Sequence, residues 1–278
     1  VGTYEGGLNR LDLLSNDIRV FKHDPNDLSS IGANGITSIL RTSDGLLLVG
    51  TYGGGLSIYS ENEEAFFNYS YSITNPSSIS NNMVIALFED SYGSIWVGTE
   101  DGLNRFNPDT ETFESFKRDP DDSSSILSDM VWAFHEDEDR RLWLGSSGGS
   151  LMSWSGADRQ NSNPNFINHT GDVHLPSSNI YGILPDAEGN LWLSHNRGVT
   201  RFNPKTLVTR QYSERHGLQG AEFNMGAAFK SSDGNIYFGG PQGFNVIGED
   251  FTKRKTPPPD VNIATIKVMN ERVTFEKP

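Results

Sequence analysis

One short stretch recurs six times along this chain and limits the fold more than any other feature. It reads "VGTYEGGLNRLD" from Val1, "LLLVGTYGGGLSIYS" from Leu46, "SIWVGTEDGLNRFNPDT" from Ser94, "RLWLGSSGGSLMSWS" from Arg141, "NLWLSHNRGVTRFNPKT" from Asn190 and "NIYFGGPQGFNVIGED" from Asn235. Anchored on Val1, Val49, Val97, Leu144, Leu193 and Phe238, the copies lie 48, 48, 47, 49 and 45 residues apart. Each period holds four apolar runs of strand length divided by turn residues, such as "MVIALFED", "SIWVGT", "GLNRFN" and "TFESFKR". Four strands per period of this length, with no helical pattern between them, indicate an all-β fold: a β-propeller of four-stranded antiparallel blades. A β-solenoid is the rival architecture, but its coils are shorter.

Aligned columns support blades. In the first strand of each repeat Ser38, Ala86, Ala133, Gly182 and Ala227 share a column of small side chains, as expected where inner strands crowd a narrow axis. The neighbouring column holds Ile39, Leu87, Phe134, Ile183 and Ala228. In the second strand Leu48, Trp96, Trp143, Trp192 and Tyr237 align as one bulky wedge per blade, which makes these aromatics core rather than cofactor contacts. The turns after the first strands, "SDG", "DSYG", "DAEG" and "SSDG", combine side-chain acceptors with glycine. The acidic "EDEDRR" from Glu136 occupies the same position and is expected to be a solvated turn.

Residues 84 to 129 resemble, over a whole period, the two-component regulator propeller repeat, in which an inner strand ending in Glu-Asp precedes a Trp-containing strand and a Gly-Thr tip. "HGLQGAEFNMGAAFKSSDGNIYFGGPQGFNVI", residues 216 to 247, is similar to the terminal blade of that family. The propeller is therefore expected over residues 1 to 250. Residues 251 to 278 are expected to hold a linker and either a closing strand or the start of a β-sandwich, with Val261 to Val268 as the strand. Ring closure is open, because the first repeat lacks a first strand and the sixth lacks an obvious fourth. Family propellers commonly have seven blades, so this ring has either six or a larger parent from which this piece is taken. The resemblance implies a periplasmic sensor region of a membrane-bound signalling protein. Its ligand would be a carbohydrate or another small nutrient, and its partners a C-terminal β-sandwich and a membrane-linked kinase or cyclase output domain.

A net charge of −14 would repel phosphate backbones and argues against nucleic acid as a partner. The absence of Cys removes disulfides, thiolate metal sites and thiol nucleophiles. "HDPND" at His23 and "RDPDD" at Arg118 space Asp like calcium ligands but lack the glycine of the sharp turn, so no metal or cofactor is expected. No catalytic set emerges from the spacing of Ser, His and acidic residues, so the chain is read as non-enzymatic. A propeller lyase or glycosidase and a protein-interaction scaffold remain alternatives, and a homodimer stays open.

The long connections between repeats share one face with the tips between second and third strands, and that face is the expected ligand site. In the fifth repeat the Gly-Thr pair becomes Ser194-His195, followed by Asn196 and Arg197; His195 and Arg197 are candidate ligand contacts, against repeat drift. Trp132 and Tyr181 occupy equivalent positions near that face, either as an aromatic platform for a sugar or as inter-blade packing. Glu222 and Asn224, in the terminal-blade motif, complete the candidates, with fixing of their loop by backbone hydrogen bonds as the simpler task.

Overall fold

The computed structural model describes residues 1–161, 163–173, 179–248, 251, 267–268 and 271–272. The chain divides into two compact units, Val1–Gly248 and Glu249–Pro278. In the first unit the strands fall into antiparallel sheets in sequence order, one sheet per repeat, in a β-propeller arrangement. The first repeat forms β1 (Leu8–Leu11) and β2 (Ile18–Phe21). The second forms β3 (Ile36–Arg41), β4 (Leu47–Thr51), β5 (Leu56–Ser60) and β6 (Ala65–Tyr69), and the third β7 (Val84–Glu89), β8 (Ile95–Thr99), β9 (Gly102–Asn107) and β10 (Thr112–Phe116). The fourth has β11 (Val131–Glu136), β12 (Leu142–Ser146), β13 (Leu151–Trp154) and β14 (Phe166–Asn168), with helices α1 (Gly156–Gln160) and α2 (Thr170–Val173) set around β14. The fifth has β15 (Ile180–Pro185), β16 (Leu191–His195), β17 (Gly198–Phe202) and β18 (Thr209–Tyr212), and the sixth β19 (Ala228–Lys230), β20 (Ile236–Gly240) and β21 (Gly243–Ile247).

Among the described residues five sheets thus have the form of blades, four of them with four strands and one with three. The expectation of six four-stranded blades is corrected by this count. In the first repeat the second strand is reduced to a single bridge between Gly2 and Leu8, which leaves a two-stranded hairpin. Of the expected closing strand, Val261 to Ile266 lie outside the described residues. In the second unit β22 (Lys267–Val268) pairs with β23 (Glu271–Arg272).

The register matches the repeat columns. Ser38 lies opposite Gly50, Ala86 opposite Gly98, Ala133 opposite Gly145 and Gly182 opposite Ser194. These small pairs let successive sheets approach, and β3, β7, β11, β15 and β19 pack each against the next. A methyl group on Gly50 would sit 2.7 Å from Val84 Cγ1, and one on Gly98 would sit 2.7 Å from the Val131 carbonyl oxygen. Between the sheets lie fully buried clusters in which Trp96 packs with Trp154 and Phe116, and Trp143 with Phe202.

Two side-chain devices recur at the end that carries the turns between first and second strands, the first in the third, fourth and fifth repeats. Trp96 Nε1 donates to Asp90 Oδ2 at 2.8 Å, Trp143 Nε1 to Asp137 Oδ2 at 2.8 Å and Trp192 Nε1 to Asp186 Oδ2 at 3.0 Å. The other carboxylate oxygen of each Asp accepts backbone N–H groups of its own turn. The second device spans neighbours. Glu89, at the end of β7, accepts from the Ser43 backbone N–H at 2.7 Å and from its hydroxyl at 2.6 Å, and Glu136, at the end of β11, accepts from the Ser91 backbone N–H at 2.7 Å. The Glu-Asp pair of the repeat therefore divides its labour: Glu clasps the preceding blade, and Asp holds its own Trp.

Candidate functional site

On the face expected to bind, the long connections are wired to themselves. In the first, the Asp24 N–H donates to Ser30 Oγ, Asn26 N–H to Asp24 Oδ1 and Ser29 N–H to Asp27 Oδ1, and the Phe66 N–H of β6 closes on the Ser29 carbonyl. The connection from Asp119 repeats the pattern with Ser125, Asp121, Ser124 and Phe166. The Ser29 and Ser124 side-chain and backbone hydrogen bonds hold Asp27 and Asp122 below the usual carboxylate range. These carboxylates are committed to their own turns. Among the described residues no group of three or more His, Cys, Asp or Glu could hold a metal ion.

His195 is not presented to a ligand. It is 2% exposed; its Nδ1 accepts from the Arg197 backbone N–H at 3.1 Å, so Nε2 carries the proton and donates to Thr200 Oγ1 at 3.0 Å. Thr51 and Thr99 do the same work in their blades, each accepting a backbone N–H of the following tip. The expected ligand contact at His195 is thus corrected: a larger side chain replaces Thr in the same tip-holding position. Burial, reinforced by the Arg197 charge, lowers its pKa to about 4. Arg197 itself is exposed. Trp132 and Tyr181 sit where β11 and β15 bulge, with ring centroids 5.4 Å apart in an edge-on arrangement. Both are half-buried, and the Trp132 indole N–H is buried without a partner. Glu222 and Asn224 act through backbone: the Glu222 carbonyl accepts from Gln219 Nε2, and the Asn224 N–H donates to Gly239. The structure brings Trp132 and Tyr181 together and records no contact joining the other candidates to them.

The opposite end of the blades holds a cavity of about 550 Å³. It is lined by the turn from Glu136 to Arg141 in the fourth repeat, by Pro185, Asp186 and Gly189 in the fifth, by Pro204 and Lys205 between β17 and β18, and by Lys230 at the end of β19. The position that is Glu89 and Glu136 in the third and fourth repeats is Pro185 and Lys230 in the fifth and sixth. The turn residue that these would clasp, Ser43 and Ser91 earlier, is Glu138 and Ala187 here. The clasp cannot form, and the cavity opens where it is missing.

A further break lies beside it. Leu40, Phe88, Leu184 and Phe229 share a column with His135, whose ring also lines the cavity. Burial is the main cause of a His135 pKa of about 4, and the Lys230 charge adds to it while Asp137 and Glu136 oppose it; the ring is neutral at pH 7. Its Nε2 is buried without a hydrogen-bond partner. Glu136 is already bound by Ser91 and by Arg159, and Asp137 by Trp143 and Arg141. Burial works to raise the pKa of Asp186, but hydrogen bonds from Asn190, Arg201 and Trp192 hold it below its ordinary value. The expectation of a solvated acidic turn is therefore corrected at Asp137, which is spent on Trp143, while Glu138 and Asp139 remain open to the cavity. Sequence reasoning missed this site, although its signal was present in four departures from repeat columns: His135, Glu138, Pro185 and Lys230.

Residues 78–101, 125–148 and 174–197 match the family described as two component regulator propeller. The chain is 29% identical over 239 residues to Histidine kinase P4 of Formosa agariphila, which covers 84% of this chain and 17% of that protein. It is similar to the crystal structure of an extracellular domain described as belonging to the hybrid two component system BT3049 of B. thetaiotaomicron, with a TM-score of 0.71, 19% identity, and coverage of 94% of this chain and 33% of that one. It is also similar to PorZ, a surface component of the type-IX secretion system of Porphyromonas gingivalis, with a TM-score of 0.65, 15% identity, and coverage of 88% and 36%. At these identities the structural likenesses establish the propeller fold. The chain spans well under half the length of each of these relatives.

Proposed function

From a chain that carries two-component regulator propeller repeats, we infer that this propeller is the ligand-sensing part of a membrane-bound signalling protein and acts outside the cytoplasm, in the periplasm. The relatives support this reading as signalling proteins, one by its name as a histidine kinase and one as an extracellular domain of a hybrid two component system. Catalysis would lie in an output domain beyond this chain, reached through a C-terminal β-sandwich. Sensing requires a ligand that prefers one arrangement of the protein over another, and a cavity between blades suits that need because its occupant contacts three repeats at once. One observation carries the proposal: four departures from the repeat converge on a single cavity of about 550 Å³, within the range that holds small molecules. The ligand would be a carbohydrate or another small nutrient.

The test rebuilds the repeat. Glu138→Ser with Pro185→Glu should restore the clasp seen between Ser91 and Glu136 and fill the gap. In a thermal-shift screen of oligosaccharides, amino acids and organic acids, compounds that stabilise the parent chain should lose their effect on the double variant. A stabilising compound unaffected by the rebuilt clasp would sink the cavity as the receptor. The pairing of Trp132 and Tyr181, with its unpartnered indole N–H, favours a second reading in which a sugar ring stacks at the opposite face. Trp132→Ala would then remove the response while the double variant kept it.

A further inference from the structure

The charges around the cavity narrow what it can hold. Once Glu136, Asp137 and Asp186 are set aside as already bonded, five charged side chains remain on its wall with no hydrogen bond and no salt bridge to any described residue; Arg141 lies against the Trp143 ring, and the other four, Glu138, Asp139, Lys205 and Lys230, are exposed. They are separated by origin. Both carboxylates come from the turn between β11 and β12 in the fourth repeat, and both ammonium groups come from the fifth and sixth. Opposite charges share one cavity without closing on each other, unlike Lys117 and Asp101 or Arg105 and Glu114 elsewhere on the molecule. Arg141 stays with the Trp143 ring, 5.6 Å from its centroid, and the neutral His135 adds no charge between the two sets.

An uncharged sugar would gain no charge pairing from either set, both of which are exposed to solvent. A simple anion would satisfy the lysines but meet Glu138 and Asp139, and a simple cation would meet the lysines. Only an occupant with both charges, held apart, matches both sides at once. We propose that the cavity between the fourth, fifth and sixth repeats binds a zwitterionic molecule of amino-acid to short-peptide size, its ammonium toward Glu138 and Asp139 and its carboxylate toward Lys205 and Lys230. This rests on the cavity being the receptor site and replaces a neutral carbohydrate with an amphoteric ligand there.

The probes are trialanine, its N-acetylated form, its C-terminal amide and a neutral disaccharide, titrated by calorimetry against the parent chain, Lys230→Ala, Glu138→Gln and the double variant with the rebuilt clasp. Trialanine should bind the parent. Each blocked form should bind at least tenfold more weakly, the disaccharide not at all, and affinity should fall as salt screens the contacts. Acetylation should cost less in Glu138→Gln than in the parent, and amidation less in Lys230→Ala, because each variant has already lost the group that the modification affects. Binding of the disaccharide that is lost on rebuilding the clasp would overturn the zwitterion and keep the cavity as the site. Trialanine binding that survives the rebuilt clasp, or no trialanine binding, overturns the proposal.

Discussion

Asp90 accepts the indole proton of Trp96 at 2.8 Å through one carboxylate oxygen and, through the other, the backbone N–H groups of Tyr92 and Ser94 that close its own turn. One side chain thus ties a buried wedge to the turn that delivers it. Where the wedge lacks an N–H the acid is absent: Thr42 stands six residues before Leu48, and Ser231 six before Tyr237. Asp90→Ala would leave a fully buried indole N–H unpaired and the turn unsupported, so unfolding in urea should show a loss of about 2 to 4 kcal/mol. Asp90→Asn keeps an acceptor and should lose less. Equal losses for both would mean that charge, rather than the Trp96 bond, dominates.

Gly98 supports the contact between two sheets rather than a turn. A Cβ there would meet the Val131 carbonyl at 2.7 Å and the Phe134 ring at 3.2 Å, and the carbonyl cannot swing away as a flexible side chain would. Gly98→Ala should therefore cost about 1 to 3 kcal/mol. Gly171→Ala, where nothing lies within 4 Å, should stay within about 0.5 kcal/mol of the parent. Chemical denaturation of both variants gives the comparison, and equal midpoints would refute the close-packing role.

Arg159, on α1, is 3% exposed and forms ion pairs with Asp90 of the third repeat, 3.4 Å from Nε to Oδ2, and with Glu136 of the fourth. Its guanidinium also lies 5.4 Å from the Tyr92 ring centroid. Arg159→Met fills similar volume but strands two carboxylates, and breaking a buried pair in this way costs about 3 to 5 kcal/mol. The triple change Arg159→Met, Asp90→Asn, Glu136→Gln should recover part of that loss, because it removes the buried charges as well. No recovery in urea denaturation would place the role of Arg159 in packing alone.

The period, the register and the wedge column were legible because every repeat must solve the same packing problem, so Leu48, Trp96, Trp143 and Trp192 align without any knowledge of contacts. The complete blade count was less legible, since strand-like runs in the first and sixth repeats do not reveal whether a sheet gains its outer strands. The cavity was not anticipated for a specific reason. His195 is the most conspicuous break in a tip, yet it holds the same backbone N–H position as Thr99, and a side-chain identity alone does not show that equivalence. Glu138, Pro185 and Lys230 look like turn drift until it is known that Glu89 and Glu136 reach across to the preceding blade. A contact between repeats cannot be seen by comparing positions within them.

His195 and His135 together set an acid limit. Each is held neutral to a folded pKa of about 4, with burial the principal cause in both, against an ordinary value near 6.5. The unfolded chain therefore takes up two protons as pH falls through about 6.5, and the folded chain does not until about 4. Their contribution to stability is intact above pH 6.5, is lost progressively between 6.5 and 4, and changes no further below that; each can account for up to about 3 kcal/mol. His195→Thr, the side chain used at Thr51 and Thr99, should flatten one of these two steps while losing the bond to Thr200, a pH-independent cost of about 1 kcal/mol. His135→Phe, matching Phe88 and Phe229 in its column, should flatten the other. Melting temperatures of the parent and both variants from pH 8 to pH 4 measure this directly. If His195→Thr loses stability over that interval as steeply as the parent, the imidazole is not held neutral in the folded protein, and the assignment of Nδ1 as the acceptor for Arg197 fails with it.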